Sequence, residues 1–208
     1  MEKVLTNRQA IITGGSQGLG LEIALKFVAT GADVMICGRN PESLDVARAK
    51  LSAMAGSSQK VAALVADVSS PSDVERVFAE TILTLGGCHI LVNNAGIYGP
   101  KGNIESIDWN DWLKTMEINI NGSVLMSRAV LPYFKERRYG KIIQLSGGGA
   151  TNPLPRISAY AVSKAAIVRF AETLAEEVRG LGIDVNAIAP GALNTGMLDE
   201  ILAAGPEK

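Results

Sequence analysis

Six short apolar runs recur along this chain, each set apart from the next by a longer segment, and that alternation limits the fold more than any other feature. The runs are Gln9–Thr13, Asp33–Cys37, Val61–Asp67, His89–Asn93, Lys141–Ser146 and Asp184–Ala189. Most are continuously apolar, the way strands buried on both faces read. The segments between them carry helical spacing near residues 18–30, 41–54, 71–85, 109–137 and 158–180. Asn40 before Pro41-Glu42 and Ser70 before Pro71-Ser72-Asp73 are helix starts, each pairing a side-chain acceptor with a proline pre-set for the first turn. Gly31, Gly180 and Gly182 stand where helices end. Regular alternation of strand and helix predicts an α/β protein with a doubly wound parallel sheet flanked by helices. With no internal repeat or linker, residues 1–208 read as one domain.

Composition decides whether such a sheet can hold a core. The 208 residues are 47% hydrophobic and 20% charged, and a chain of this size buries about 70% of its unfolded surface without disulfides or metal. A formal net charge of −1, with acids and bases interspersed, steers the protein toward neither nucleic acid nor an anionic membrane. Cys37 and Cys88 sit in or beside apolar runs and His89 is the one histidine, so no zinc site is expected and the thiols fit a reducing compartment. The N-terminus has no apolar signal core, and no run reaches a membrane span. The expected location is cytoplasmic.

The stretch TGGSQGLG, Thr13–Gly20, follows the first strand and opens the first helix. Glycines at 14, 18 and 20 permit a tight turn and let main chain approach a pyrophosphate, with Ser16, Gln17 and Leu19 completing the loop. The helix N-terminus adds open N–H groups and a positive dipole. This is the dinucleotide-binding pattern of a Rossmann domain; the alternative is a glycine-rich turn with no ligand. The second strand ends MICGRN, placing Gly38 where an NAD site usually has a carboxylate, with Arg39 next. A guanidinium suits a 2′-phosphate, so NADP is expected over NAD.

Taken together, these segments resemble the short-chain dehydrogenase/reductase family. The matching motifs, in order, are TGGSQGLG, ADVS (Ala66–Ser69), NNAG (Asn93–Gly96), Asn119 in INING, YAVSK, and PGALNT (Pro190–Thr195). The resemblance implies that Asp67 accepts from the adenine amino group with Val68 against the ring. It places Asn93, Asn94, Ala95 and Gly96 along the adenosine wall, and Pro190, Gly191 and Thr195 at the nicotinamide end. It makes Tyr160 the general acid/base and Lys164 the partner that binds the nicotinamide ribose, while Asn119 holds a water linking that lysine to solvent. Physical chemistry supports the pair: i and i+4 share one helix face, and an ammonium beside a phenol is expected to lower its pKa.

Two departures stand out. In the family a serine thirteen residues before the tyrosine polarises the substrate carbonyl; here that position is Gly147 and Ser146 is its neighbour. Strand side chains alternate faces, so Ser146 points away unless the chain bulges. Three readings stay open: a bulge that makes Ser146 catalytic; another donor, from water, the Gly147–Gly149 backbone or Thr151; or a protein that binds the dinucleotide without turning over. Relatives also add a seventh, C-terminal strand after a substrate-covering loop and helix; this sequence stops at Lys208, so either it is part of a longer chain or its substrate closure is unusual.

The reading that results is an NAD(P)-dependent oxidoreductase interconverting a secondary alcohol and a carbonyl. Its partner is a small molecule, with a carbohydrate or polyol favoured, and it assembles as a homodimer or homotetramer. The competing reading is a noncatalytic dinucleotide sensor or scaffold.

Overall fold

The computed structural model describes residues 2–191. Six strands form one parallel sheet: β1 (Gln9–Thr13), β2 (Asp33–Gly38), β3 (Val61–Val65), β4 (Ile90–Asn93), β5 (Gly140–Leu145) and β6 (Ile183–Ile188). Their order is β3-β2-β1-β4-β5-β6. The chain winds outward from β1 in one direction, then returns to β4 on its other side. That reversal opens a crevice at the carboxyl ends of β1 and β4, where doubly wound sheets bind ligands.

Helices α1 (Gly18–Ala29) and α2 (Pro41–Met54) cover one face. Their Ala24, Leu25, Val28, Leu44 and Leu51 pack on Ile12, Val34, Ile36 and Val92 of the strands. Three further helices, α3 (Pro71–Leu85), α5 (Gly122–Arg137) and α6 (Ser158–Glu177), bury residues such as Val77, Met126, Phe134 and Leu174 against Ile11, Met35, Leu91 and Ile142 on the other. Each fully buried aliphatic side chain of this kind contributes about 1.5–3 kcal/mol.

The sequence signals act as expected at helix ends. Asn40 accepts from Ser43 N at 2.8 Å, and α3 starts on Ser70 and Pro71 and ends on Gly86 at φ 86°. The expected 109–137 helix is interrupted: α4 (Trp109–Met116) runs into a π-turn over Glu117–Asn121 before α5 begins. Such turns carry one extra residue per ring and re-aim a side chain. Of the described residues, none forms a helix long and apolar enough to cross a membrane.

Candidate active site

The glycine loop forms a cradle that only glycine can complete. Gly14 and Gly18 lie at φ 61° and 52°, in the left-handed region where a side chain is strained. A Cβ on Gly20 would run into the Gly14 carbonyl and lie 2.5 Å from Asn94 Nδ2. Asn94 explains the closeness: its amide donates to Thr13 O at 2.9 Å and Gly14 O at 3.1 Å. Thr13 Oγ1 accepts from the amides of Asn94 and Ala95, both at 3.0 Å. The loops after β1 and β4 are thus one unit. Gln17, at the start of α1, makes no side-chain cap, so the first-turn N–H groups stay open to an anion.

At the end of β2, a Cβ on Gly38 would sit 3.6 Å from Ser16 Oγ, and Arg39 beside it is exposed. Burial pushes the Asp67 carboxyl up, but hydrogen bonds from Ser69 and the nearby Arg39 charge outweigh it and hold the pKa below the usual value. Two neighbours depart from expectation. Val68 is buried with Gly122 packed against its side chain, so it is core more than an open wall. Asn93 faces inward, donating to Ser123 O at 3.2 Å and Ser127 Oγ at 3.1 Å. It supports the sheet and does not line the crevice, because its β4 position alternates onto the α5 face.

Tyr160 and Lys164 lie one turn apart on α6, with Lys164 Nζ 5.5 Å from the tyrosine ring centroid. Lys164 is 6% exposed, and its ammonium donates to Leu145 O at the end of β5 at 2.7 Å. Burial brings its pKa down to about 8. The expectation for Tyr160 is corrected: its pKa is raised to about 12, first by burial and then by the nearby Tyr98. The lysine is turned toward a strand carbonyl, and its charge does not overcome the loss of water around the phenol.

Asn119 sits in the π-turn and holds the loop after β4. Its Oδ1 accepts from Ile97 N at 2.8 Å, and its Nδ2 donates to Ile97 O and Ser163 Oγ, both at 2.9 Å. Its main-chain carbonyl accepts from Ser123 Oγ at 3.1 Å. Its side chain is therefore a clamp on Ile97.

Position 147 faces the tyrosine. Gly147 has φ 179°, ordinary extended backbone, and a Cβ there would lie 2.6 Å from Tyr160 Oη. Ser146 points elsewhere: it is 3% exposed and its hydroxyl donates to Lys164 O at 2.9 Å. No bulge swings it toward Tyr160, so the structure leaves it out of the crevice. Thr151 follows the short 3-10 turn Gly148–Ala150 and is exposed. Gly96 lies where a Cβ would be 3.7 Å from Lys164 Nζ. Pro190 and Gly191 follow β6, and Thr195 is outside the described residues.

One aromatic residue escaped the sequence reading. The ring of Tyr98 lies 4.6 Å from that of Tyr160, tilted by 49°. The only available signal was its place two residues after NNAG.

This arrangement has known counterparts. The profile of the short chain dehydrogenase family matches residues 8–205. The chain is 35% identical to dehydrogenase/reductase SDR family member 4 from Sus scrofa over 193 residues, 93% of this chain and 68% of that one. It is 38% identical to glucose 1-dehydrogenase from Gluconobacter oxydans over 189 residues, 90% of this chain and 70% of that one. Among solved structures, levodione reductase superposes with a TM-score of 0.92 at 31% identity, covering 98% of this chain and 79% of the other. NAD+-bound xylitol dehydrogenase superposes at 0.90 and 26% identity, covering 96% and 75%. With glycine cradle, tyrosine and lysine converging on one crevice, the chain belongs to the short-chain dehydrogenase/reductase family.

Proposed function

We propose that the protein is an NADP-preferring oxidoreductase that interconverts a secondary alcohol and a carbonyl. The observation that carries this is Tyr160 and Lys164 meeting the glycine cradle at the reversal of the sheet. The residues fit a dinucleotide: the space above Gly14 and Gly20 is closed to any Cβ, and the open end of α1 suits a pyrophosphate. Arg39 and Ser16 would hold a 2′-phosphate, Asp67 the adenine edge, and Lys164 the ribose hydroxyls. Gly191 and Pro190 would hold the nicotinamide end. When bound, the nicotinamide supplies or accepts the hydride.

Reduction is the direction these groups suit. With its pKa near 12, Tyr160 carries its proton at neutral pH and is a proton donor to a carbonyl oxygen. Lys164, protonated below about pH 8, places a positive charge beside the phenolate that remains. The relatives acting on glucose and xylitol support a carbohydrate or polyol substrate. The inward turn of Ser146 favours the alternative, a cofactor-binding protein without turnover, and the same experiment separates the two. NADPH oxidation is followed over a panel of ketones and keto-sugars. Turnover that falls at least 100-fold in Tyr160→Phe supports the enzyme, whereas NADPH binding without turnover on any carbonyl supports the sensor.

A two-fold pairing belongs to this reading. On the outer side of α5 and α6, Val124, Leu131, Pro132, Phe170 and Leu174 line an apolar groove of the kind a second copy covers. Along the same two helices, Met126, Val130 and Ile167 are buried in the protein's own core, leaving Leu125, Val168 and Phe170 half-buried at the surface. A monomer mass by light scattering at micromolar concentration refutes the pairing.

A further inference from the structure

We infer that Tyr98 is a second hydrogen-bond donor to the reacting oxygen of the substrate, working beside Tyr160 in place of the hydroxyl that position 147 lacks. The inference rests on the oxidoreductase reading above.

Three observations converge on it. First, the two side-chain hydroxyls the sequence offered have other surroundings: Ser146 is buried and donates to Lys164 O, and Thr151 is exposed past the 3-10 turn, where its hydroxyl accepts from Asn152 Nδ2. Second, Tyr160 Oη itself fills the space in front of Gly147, within 2.6 Å of where a Cβ would stand. The tyrosine has taken the volume a serine needs, so a companion donor must come from another element. Tyr98, on the loop after β4, meets that requirement: the rings are 4.6 Å apart, and both residues are half-buried.

Third, the backbone that carries Tyr98 is fixed on both sides. Asn119 binds both the N–H and the carbonyl of Ile97. Gly99 adopts φ 73°, and a Cβ there would collide with Thr115 Oγ1, so the chain is pressed onto α4 immediately after Tyr98. A donor held by its neighbours needs no reorganisation as charge develops, which is the condition for effective oxyanion stabilisation. The electrostatic influence of Tyr98 on Tyr160 is consistent with two phenols facing one site.

As the carbonyl carbon gains a hydride, which a bound dihydronicotinamide would supply, the π pair moves onto oxygen, which takes the proton of Tyr160. Tyr98 donates a hydrogen bond to that oxygen and keeps its own proton, and Tyr160 is reprotonated from solvent.

The test is Tyr98→Phe, which keeps the ring and removes the hydroxyl. With cyclohexanone, 2,3-butanedione and D-fructose as probes, kcat/KM is expected to fall about 100-fold, while the Kd for NADPH by fluorescence stays within about twofold. A second readout needs no turnover. The chain has four tyrosines, so [ζ-13C]tyrosine-labelled protein with NADP+ gives four resonances, assigned by Tyr→Phe variants. The turned-over probe is expected to shift Tyr98 and Tyr160 and leave Tyr133 and Tyr139 in place. A parent protein inert to all three probes overturns the oxidoreductase reading and this inference with it. An active parent overturns this inference alone if Tyr98→Phe loses less than threefold, if its NADPH affinity falls in parallel, or if only Tyr160 shifts.

Discussion

Lys164 should make the protein less stable than a version without it, and the size of the effect follows from its burial. The side chain is 6% exposed, and its pKa falls from 10.5 to about 8. At about 1.36 kcal/mol per pKa unit, that drop of about 2.5 corresponds to about 3 kcal/mol of lost stability while the lysine is charged. Lys164→Met removes this penalty but leaves the Leu145 carbonyl without its 2.7 Å partner, which costs about 1–3 kcal/mol. The variant is therefore expected to be equally stable or more stable at pH 7, by up to about 2 kcal/mol. The pH dependence is the sharper test. Because the folded pKa is depressed, the unfolded chain binds more protons between about pH 8 and 10.5, and parent stability rises across that window. Below pH 8 the penalty is complete. The advantage of Lys164→Met should shrink by about 2–3 kcal/mol between pH 7 and pH 10. Urea denaturation of cofactor-free parent and variant at the two pH values measures it. Ionisation of Tyr160, whose folded pKa is about 12, affects both proteins alike and cancels in the comparison. A stability difference that is the same at both pH values would refute the reasoning, because it would mean that the ammonium is solvated.

Gly147→Ser meets no backbone strain at φ 179°, but its Cβ forces Tyr160 Oη back from 2.6 Å. Thermal or chemical unfolding should show a loss of about 1–3 kcal/mol from overpacking. Turnover should fall up to about 100-fold as the proton donor is displaced; higher turnover in the variant would show that the tyrosine re-seats to admit a serine. Arg39→Asp should reverse the cofactor order, since a carboxylate accepts from a 2′-hydroxyl and repels a 2′-phosphate. Fluorescence titration with NADPH and NADH checks this, and equal affinities in the parent refute the NADP preference.

The fold was legible because its signals are local. Strand β1 and helices α2 and α3 match the sequence reading end to end, since caps and apolar runs are set by neighbouring residues. The other strands shift by one or two residues at their ends. His89 stays outside β4, and Gly38 joins β2. The glycine loop and the Tyr160–Lys164 pair were legible for the same reason: a strand–turn–helix junction and an i, i+4 spacing exist before any long-range contact forms.

Tertiary structure decided the remainder, through contacts between segments distant in sequence. Tyr98 reaches Tyr160 only because the loop after β4 and the start of α6 meet above the same edge of the sheet. Asn119 became a clamp because the π-turn aims its amide at Ile97. The Tyr160 pKa moved opposite to expectation because desolvation is a property of the packed site, and spacing along a helix does not measure it. Ser146 was lost to the crevice because alternation along β5 carried it to the Lys164 carbonyl. The sequence by itself determined which groups were available. Packing determined which of them face each other and how much water they keep.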